Sequence, residues 1–386
     1  MNPIITEDGR KLITYEKDPK YFRRAFALRS ASLPEKEDPH LMTKTPSPVS
    51  PVMAVNTAFA NWKDLLKEDH LYLLPNKKNL RLHLTGLGDV GGTMLTGLRL
   101  KAGQKIASIG IYDKDQNRLE RYEKEMNQIF CYEEEMPEIE ILEEERLFDC
   151  DVFVFAVAVA VPSIEEGKNI DVRMVQYEKN RAVISYYAKR ARKKGFQGLF
   201  AVVSDPVDQL CLSAYLASNE NEQGLWDGKG LGNDQIRGFG LGVMNARARY
   251  YAKKLFPDLP YDEFGRAFGP HGKGLVIANS ISRYDETISD RLTTLAETAN
   301  LRIREIGYKP YIAPALSSGC MSLLRCLSGD WHYSSTFIGG IWFGCRNRLT
   351  SLGNEIETCN FPEPLFKKIE NSYNELFSHA EGAEKI

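Results

Sequence analysis

The chain has 386 residues, 43% hydrophobic and 26% charged, and its 50 Lys and Arg nearly balance 52 Asp and Glu. Such a composition belongs to an ordinary globular protein and excludes disordered and collagen-like classes, and with a formal net charge of −2 there is no basic field for nucleic acid or an anionic membrane. The longest apolar run, Val152 to Val161, is about half of what a membrane-spanning helix requires, and the start MNPIITEDGRKL lacks the basic-then-apolar pattern of a signal peptide.

Residues 1–78 differ from the rest. Five prolines between Pro34 and Pro51 oppose any regular element there, and "DPKYFRRAFAL" and "NTAFANWKDLLKEDHL" on either side are candidates for short helices. The stretch is expected to be an irregular arm. From Leu80, alternating leucines predict a strand that ends in a glycine cluster at Gly86, followed by a helix over "GTMLTGLRL". A second strand, "IASIGIYD", ends at Asp113; the helix "DQNRLERYEKEMNQIF" and a third strand at "EIEIL" follow. "CDVFVFAVAVAV" has the continuous apolar character of a strand buried on both faces. A helix over about 171–194 leads to a further buried strand, "GLFAVVS", which ends at Asp205. Strands alternating with helices predict an α/β protein built on a doubly wound parallel sheet over 79–208, with a mixed α+β domain over 209–386.

Three features carry chemistry. Gly86, Gly88 and Gly91, with Asp89 and Val90 between them, form a G-x-G-x-x-G directly after a strand and directly before a helix. Glycines there permit a tight turn, close approach of backbone to a pyrophosphate and close helix–strand packing, while the helix N-terminus favours the anion. Asp113 lies 22 residues past Gly91 at the end of the next strand, where a carboxylate accepts hydrogen bonds from ribose hydroxyls and repels a 2′-phosphate. The expected cofactor is NAD. The third feature is His271, a histidine in the glycine-flanked turn "GPHGKG", where an imidazole can meet a ligand and exchange a proton near neutral pH. The seven dispersed cysteines include no C-x-x-C pair, and no His/Cys/acid spacing signals a metal site. Reduced, scattered thiols of this kind imply the cytoplasm.

Taken in order, "SDPVD" at 204–208, "IRGFGLGVMNARARYYAKKL" at 236–255, "GPHGKG" at 269–274, "IREIGYKPYIAPAL" at 303–316 and "RMVQYEKN" at 173–180 resemble the motifs of the NAD-dependent lactate/malate dehydrogenase family. The resemblance covers roughly residues 80–380 and leaves the amino-terminal arm unmatched. It implies a Rossmann domain joined to a substrate domain of lactate/malate dehydrogenase type. The reaction implied is hydride transfer between nicotinamide and a small-molecule 2-hydroxy or 2-oxo acid. By register His271 exchanges the substrate proton, Arg247 clamps the substrate carboxylate through a planar bidentate contact, and Arg173 stabilises charge on the reacting oxygen. Asn180 and Lys309 are placed on the substrate side, and Ala156 and Ser204, at the ends of the fourth and fifth strands, join the cofactor contacts. Homodimers or homotetramers are implied as well, with neither nucleic acid nor membrane as partner.

Two departures from the family matter. The carboxylate that partners the catalytic histidine falls at Met244, and a thioether cannot stabilise an imidazolium. The asparagine before Pro-Val-Asp is Asp205. In one reading Asp205 replaces the lost acid and acts with His271, so that the chemistry survives; in the other the dyad is broken, and the chain is a catalytically impaired NAD-binding protein with a regulatory or structural role.

Overall fold

A computed structural model of the chain describes residues 4–5, 11–15, 26–28, 52–56, 73–159, 172–308, 312–351, 353–357 and 359–383. In chain order the strands are β1 (Ile4–Ile5), β2 (Lys11–Tyr15), β3 (Phe26–Leu28), β4 (Val52–Asn56), β5 (Leu80–Thr85), β6 (Ile106–Tyr112), β7 (Glu138–Ile141), β8 (Val152–Phe155), β9 (Leu199–Val202) and β10 (Ile236–Gly238). They continue with β11 (Arg266–Phe268), β12 (Val276–Ala278), β13 (His332–Ile338), β14 (Ile341–Thr350) and β15 (Gly353–Ile356). The longer helices are α1 (Asp89–Lys101), α2 (Gln116–Asn127), α3 (Val172–Lys194), α4 (Val207–Asn219), α5 (Leu241–Leu255), α6 (Glu286–Glu305) and α7 (Glu363–Ala383).

Strands β7-β6-β5-β8-β9-β10 run parallel in that spatial order. This is the doubly wound 3-2-1-4-5-6 arrangement, in which the order reverses beside the first strand and opens a crevice at the carboxyl ends. The sixth strand lies beyond residue 208, so the parallel sheet runs through Gly238. Every residue of β8 and β9 is buried, as expected of strands covered on both faces. Side-chain alternation then divides the core. Leu82, Leu84, Val152, Val154 and Ala201 pack with α1, whereas Phe153, Phe155, Phe200 and Val202 pack under α3 and α4.

The antiparallel strands β13–β15 extend the same sheet from β10, with Gly238 opposite Ser335. Arg237 fastens this joint from a fully buried position, donating from Nη1 to Asn347 at 2.6 Å and from Nη2 to Asn354 at 2.8 Å. Beyond β15 the sheet takes up the described pieces of the arm, in the order β3, β4, β2, β1. Phe26–Leu28, inside a segment expected to be helical, is extended instead and pairs with β4 and β15. Sheet pairing outweighs helix propensity in so short a piece.

Strand β8 is also shorter than its apolar run. It stops at Phe155, and Ala156–Val159 leave the sheet above its carboxyl edge. Hairpin β11–β12, α5 and α6 form a third apolar cluster, with Met244, Ala248, Ala267, Leu292 and Ala296 at its centre. This unit carries the turn that holds His271.

Candidate active site

The glycine turn sits where β5 meets α1. Gly86 has φ of +90°, a conformation that costs glycine alone little. A Cβ on Gly86 would lie 2.7 Å from the backbone of Ala156 and Val157, and one on Gly91 would lie 1.9 Å from the Gly86 carbonyl oxygen. Strand, turn and helix are therefore pressed together by backbone contact. Gly88, the N-cap of α1, faces open space, with nothing within 4 Å of a Cβ there. Asp89 and Val90 open the helix behind it, Asp89 exposed and Val90 half-buried.

Asp113 follows β6 and holds this turn from the side. Its Oδ2 accepts the Leu87 N–H at 2.7 Å, and Arg118 approaches the same oxygen at 3.2 Å. Ala156 covers Gly86, and the Ser204 hydroxyl donates to the Val157 carbonyl at 2.6 Å, which pins the ends of β8 and β9 together. Crowding under Gly86 and Gly91, an open face at Gly88 and a carboxylate at the next strand's end are features that fit a dinucleotide.

Across the crevice His271 occupies the turn between β11 and β12. Gly269, at φ of +86°, and Gly274, at +94°, shape this turn, and Ser372 of α7 donates to the Gly274 carbonyl at 2.6 Å. The His271 Nδ1 lies 2.8 Å from Asp205 Oδ1, and the His271 side chain is about one quarter exposed. Burial alone would lower the imidazole pKa. The charge and hydrogen bond of Asp205, with a smaller push from Asp208, outweigh burial and the repulsion of Arg247, so the net displacement is upward.

Arg247, on α5, completes the cluster. Its Nη1 donates to the Ala296 carbonyl at 3.1 Å and touches the Met244 sulfur at 3.5 Å. Burial lowers its pKa and the Asp205 carboxylate opposes that. Met244 itself is buried in the third cluster, where it serves as packing. Arg249, two residues on, faces away from this corner and pairs with Asp262 at 2.5 Å.

Asn180 is fully buried and has both ends of its amide engaged by backbone. Oδ1 accepts the Val159 N–H at 3.0 Å and Nδ2 donates to the Asp205 carbonyl at 2.8 Å. It braces the acid, and its oxygen and its NH2 group each keep capacity for one further hydrogen bond. Arg173 lies in the first turn of α3, but its side chain is outside the described residues, as are Lys309 and the connection over 160–171. Among the described residues no group of three His, Cys, Asp or Glu side chains is arranged to hold a metal ion, and no helix is long and apolar enough to cross a membrane.

Sequence reasoning missed the residue on which the imidazole stem rests. A Cβ on Gly240 would lie 2.9 Å from both the His271 Cβ and a Val207 methyl, so the imidazole stem rests on a bare backbone position at the start of α5. The glycine was visible in "GFG", but its neighbour in space is 31 residues away.

No family model matches the chain. Over 102 residues, which span 26% of the chain and 29% of the relative, it is 28% identical to an L-lactate dehydrogenase of Bacillus velezensis. A solved lactate dehydrogenase from a Medee basin deep-sea metagenome library superposes with a TM-score of 0.64 at 17% identity, covering 79% of this chain and 99% of that one. The fold is that of the lactate and malate dehydrogenases. Malate dehydrogenase from Archaeoglobus fulgidus, solved with NADH, gives 0.61 at 16% identity over 78% of this chain and 99% of its own. Lactate dehydrogenase from Eimeria maxima, solved with NADH and oxamate, gives 0.63 at 16% identity over 80% and 95%. The sequence match covers about a quarter of the chain, and what is shared with the solved structures over their length is the fold.

Proposed function

We propose that this chain is an NAD-dependent 2-hydroxy acid dehydrogenase whose acid–imidazole pair is Asp205 with His271. The contact that carries the reading is the 2.8 Å approach of Asp205 Oδ1 to His271 Nδ1. A carboxylate missing at residue 244 stands at residue 205 and reaches the imidazole from the other wall of the crevice. Gly86–Gly91 and Asp113 would hold NAD, which supplies the site that accepts or releases hydride; neighbours of the same fold were solved with NADH. The protein's own groups manage the rest. His271 takes the hydroxyl proton during oxidation and returns it during reduction, with Asp205 stabilising the imidazolium between the two. Arg247 presents a guanidinium to the substrate carboxylate from the Ala296 side, and Arg173, at the head of α3, is assigned to the reacting oxygen.

The deciding experiment measures NADH binding by fluorescence and then NADH oxidation with a panel of 2-oxo acids, dicarboxylic and bulky ones included. Turnover of at least one acid that is lost in His271→Gln supports the reading. Tight NADH binding with no turnover across the panel would instead favour a non-catalytic NAD-binding role, the alternative to which Met244 points.

A further inference from the structure

The proton-transfer corner contains a second carboxylate with no part in the scheme above. Asp208 stands in the first turn of α4, three residues after Asp205, with its side chain buried. It accepts a hydrogen bond from the Ser335 hydroxyl of β13. A carboxylate withdrawn from water without a salt bridge is costly, and cores seldom keep one that has no use. No Lys or Arg side chain among the described residues forms an ion pair with Asp208. The cation nearest in kind is the imidazole itself.

Two glycines bring them close. A Cβ on Gly240 would meet both the His271 Cβ and a Val207 methyl at 2.9 Å, which places the imidazole stem against the residue preceding Asp208. A Cβ on Gly238 would meet the other Val207 methyl at 2.4 Å, Ser335 Cβ at 3.0 Å and Cys211 Sγ at 3.1 Å, which places the partner of Asp208 on the opposite flank of the same valine. Val207 thus has the stem of His271 near one methyl and Ser335, the hydrogen-bond partner of Asp208, near the other.

We propose that Asp208 is a positioning residue, a second and buried carboxylate that acts on His271 through space and holds its imidazole in the charged form. The proposal rests on His271 being the proton carrier. The charged groups that bear on His271 are Asp205, just before α4, Asp208 in its first turn, and Arg247 on α5. The groups that face Asp208 are His271, Asp205 and Ser335, and its charge reaches Cys211 on its own helix. Burial pushes the Asp208 carboxyl up to about 6, against the Ser335 hydrogen bond and the charge of His271. The charge of each group therefore bears on the protonation of the other. No bond is made or broken at Asp208; only its charge acts.

The test uses the full chain without substrate. Histidine ring signals are followed by NMR against pH, and His271 among the six histidines is assigned by the signal lost in His271→Gln. Asp208→Asn keeps the shape and the Ser335 bond but removes the charge, and the His271 midpoint should fall by roughly half a unit to one unit. Asp205→Asn should lower it further. In turnover, the alkaline limb of 2-oxo acid reduction should move with the NMR midpoint while the KM for NADH stays unchanged. An unmoved midpoint in folded Asp208→Asn overturns the proposal. If that variant does not fold, Ser335→Ala provides the same reading: loss of the hydroxyl lets Asp208 keep its proton to higher pH, and the His271 midpoint should fall by a smaller step, with no change again overturning the proposal. The NMR reading does not need catalysis, so the two failures are distinguishable: an inert protein with a shifted midpoint would sink the dehydrogenase reading and leave only the electrostatic coupling of Asp208 to His271, whereas an active protein with an unmoved midpoint would sink the coupling alone.

Discussion

At the glycine turn the geometry is made by backbone touching backbone; at the His271 corner it is made by side chains reaching across the crevice. The first admits almost no substitution at its crowded positions, because a single carbon on Gly91 would sit 1.9 Å from a carbonyl oxygen. The second brings an acid to the imidazole from the end of β9, with Asp205 at 2.8 Å, while Met244 packs into the apolar cluster. A ring nitrogen is indifferent to the element from which a carboxylate arrives, provided the distance and direction are met. A backbone cradle is therefore tied to its glycines, whereas a charge partner is tied only to a distance and a direction.

The strongest way to break this comparison is Asp205→Asn. Turnover should fall by about 10²–10⁴-fold while NADH binding, measured by fluorescence titration, is retained. Equal activity in wild type and variant would show that the exchange of acids is an accident. Next in size is Gly91→Ala, in which the backbone must shift; it should cost about 1–3 kcal/mol in a denaturant melt and weaken NADH binding more than tenfold. Gly88→Ala, which faces open space, should cost less than about 1 kcal/mol in the same melt. If the two glycines behaved alike, the contrast between crowded and open faces of the turn would fail.

A gain of function sharpens the comparison from the other side. Adding Met244→Asp to Asp205→Asn should recover about tenfold of the lost turnover by offering the imidazole an acid from α5. No recovery would mean that the buried sulfur position has closed to charge.

The smallest effect expected is in the pH profile. His271 is displaced upward, so its proton is held more firmly in the folded chain than in the unfolded one. Reduction, which needs the imidazolium, should persist beyond the ordinary histidine range and decline as pH rises through the raised value; in Asp205→Asn this limb should move down. The sign for stability is the same. The contribution of the pair is fully present below about 6.5 and is lost as pH climbs through the folded value. A thermal melt that gains stability over that window would contradict the direction.

Much of this was legible in the sequence because local rules governed it. Leu80–Thr85, the glycines after it and Asp113 obey a strand–turn–helix–strand grammar that is written within about 35 residues. Likewise motif register alone singled out Met244 and Asp205, and the fold sets Asp205 2.8 Å from the imidazole. The arm was harder, since a three-residue strand such as Phe26–Leu28 has no periodicity of its own and is made by pairing with β4 and β15. Gly240, Asp208 and the two-ended use of Asn180 were hidden for the same reason. Their meaning depends on neighbours that only the fold supplies.

Asn180 has a practical consequence for anyone wishing to alter selectivity by transplanting the connection that follows β8. One amide grips Val159 and Asp205 at once. A graft that begins before Val159 would loosen the acid together with the loop, and lost turnover would be misread as poor substrate fit. The safe splice point lies after Val159, with Asn180 left in place.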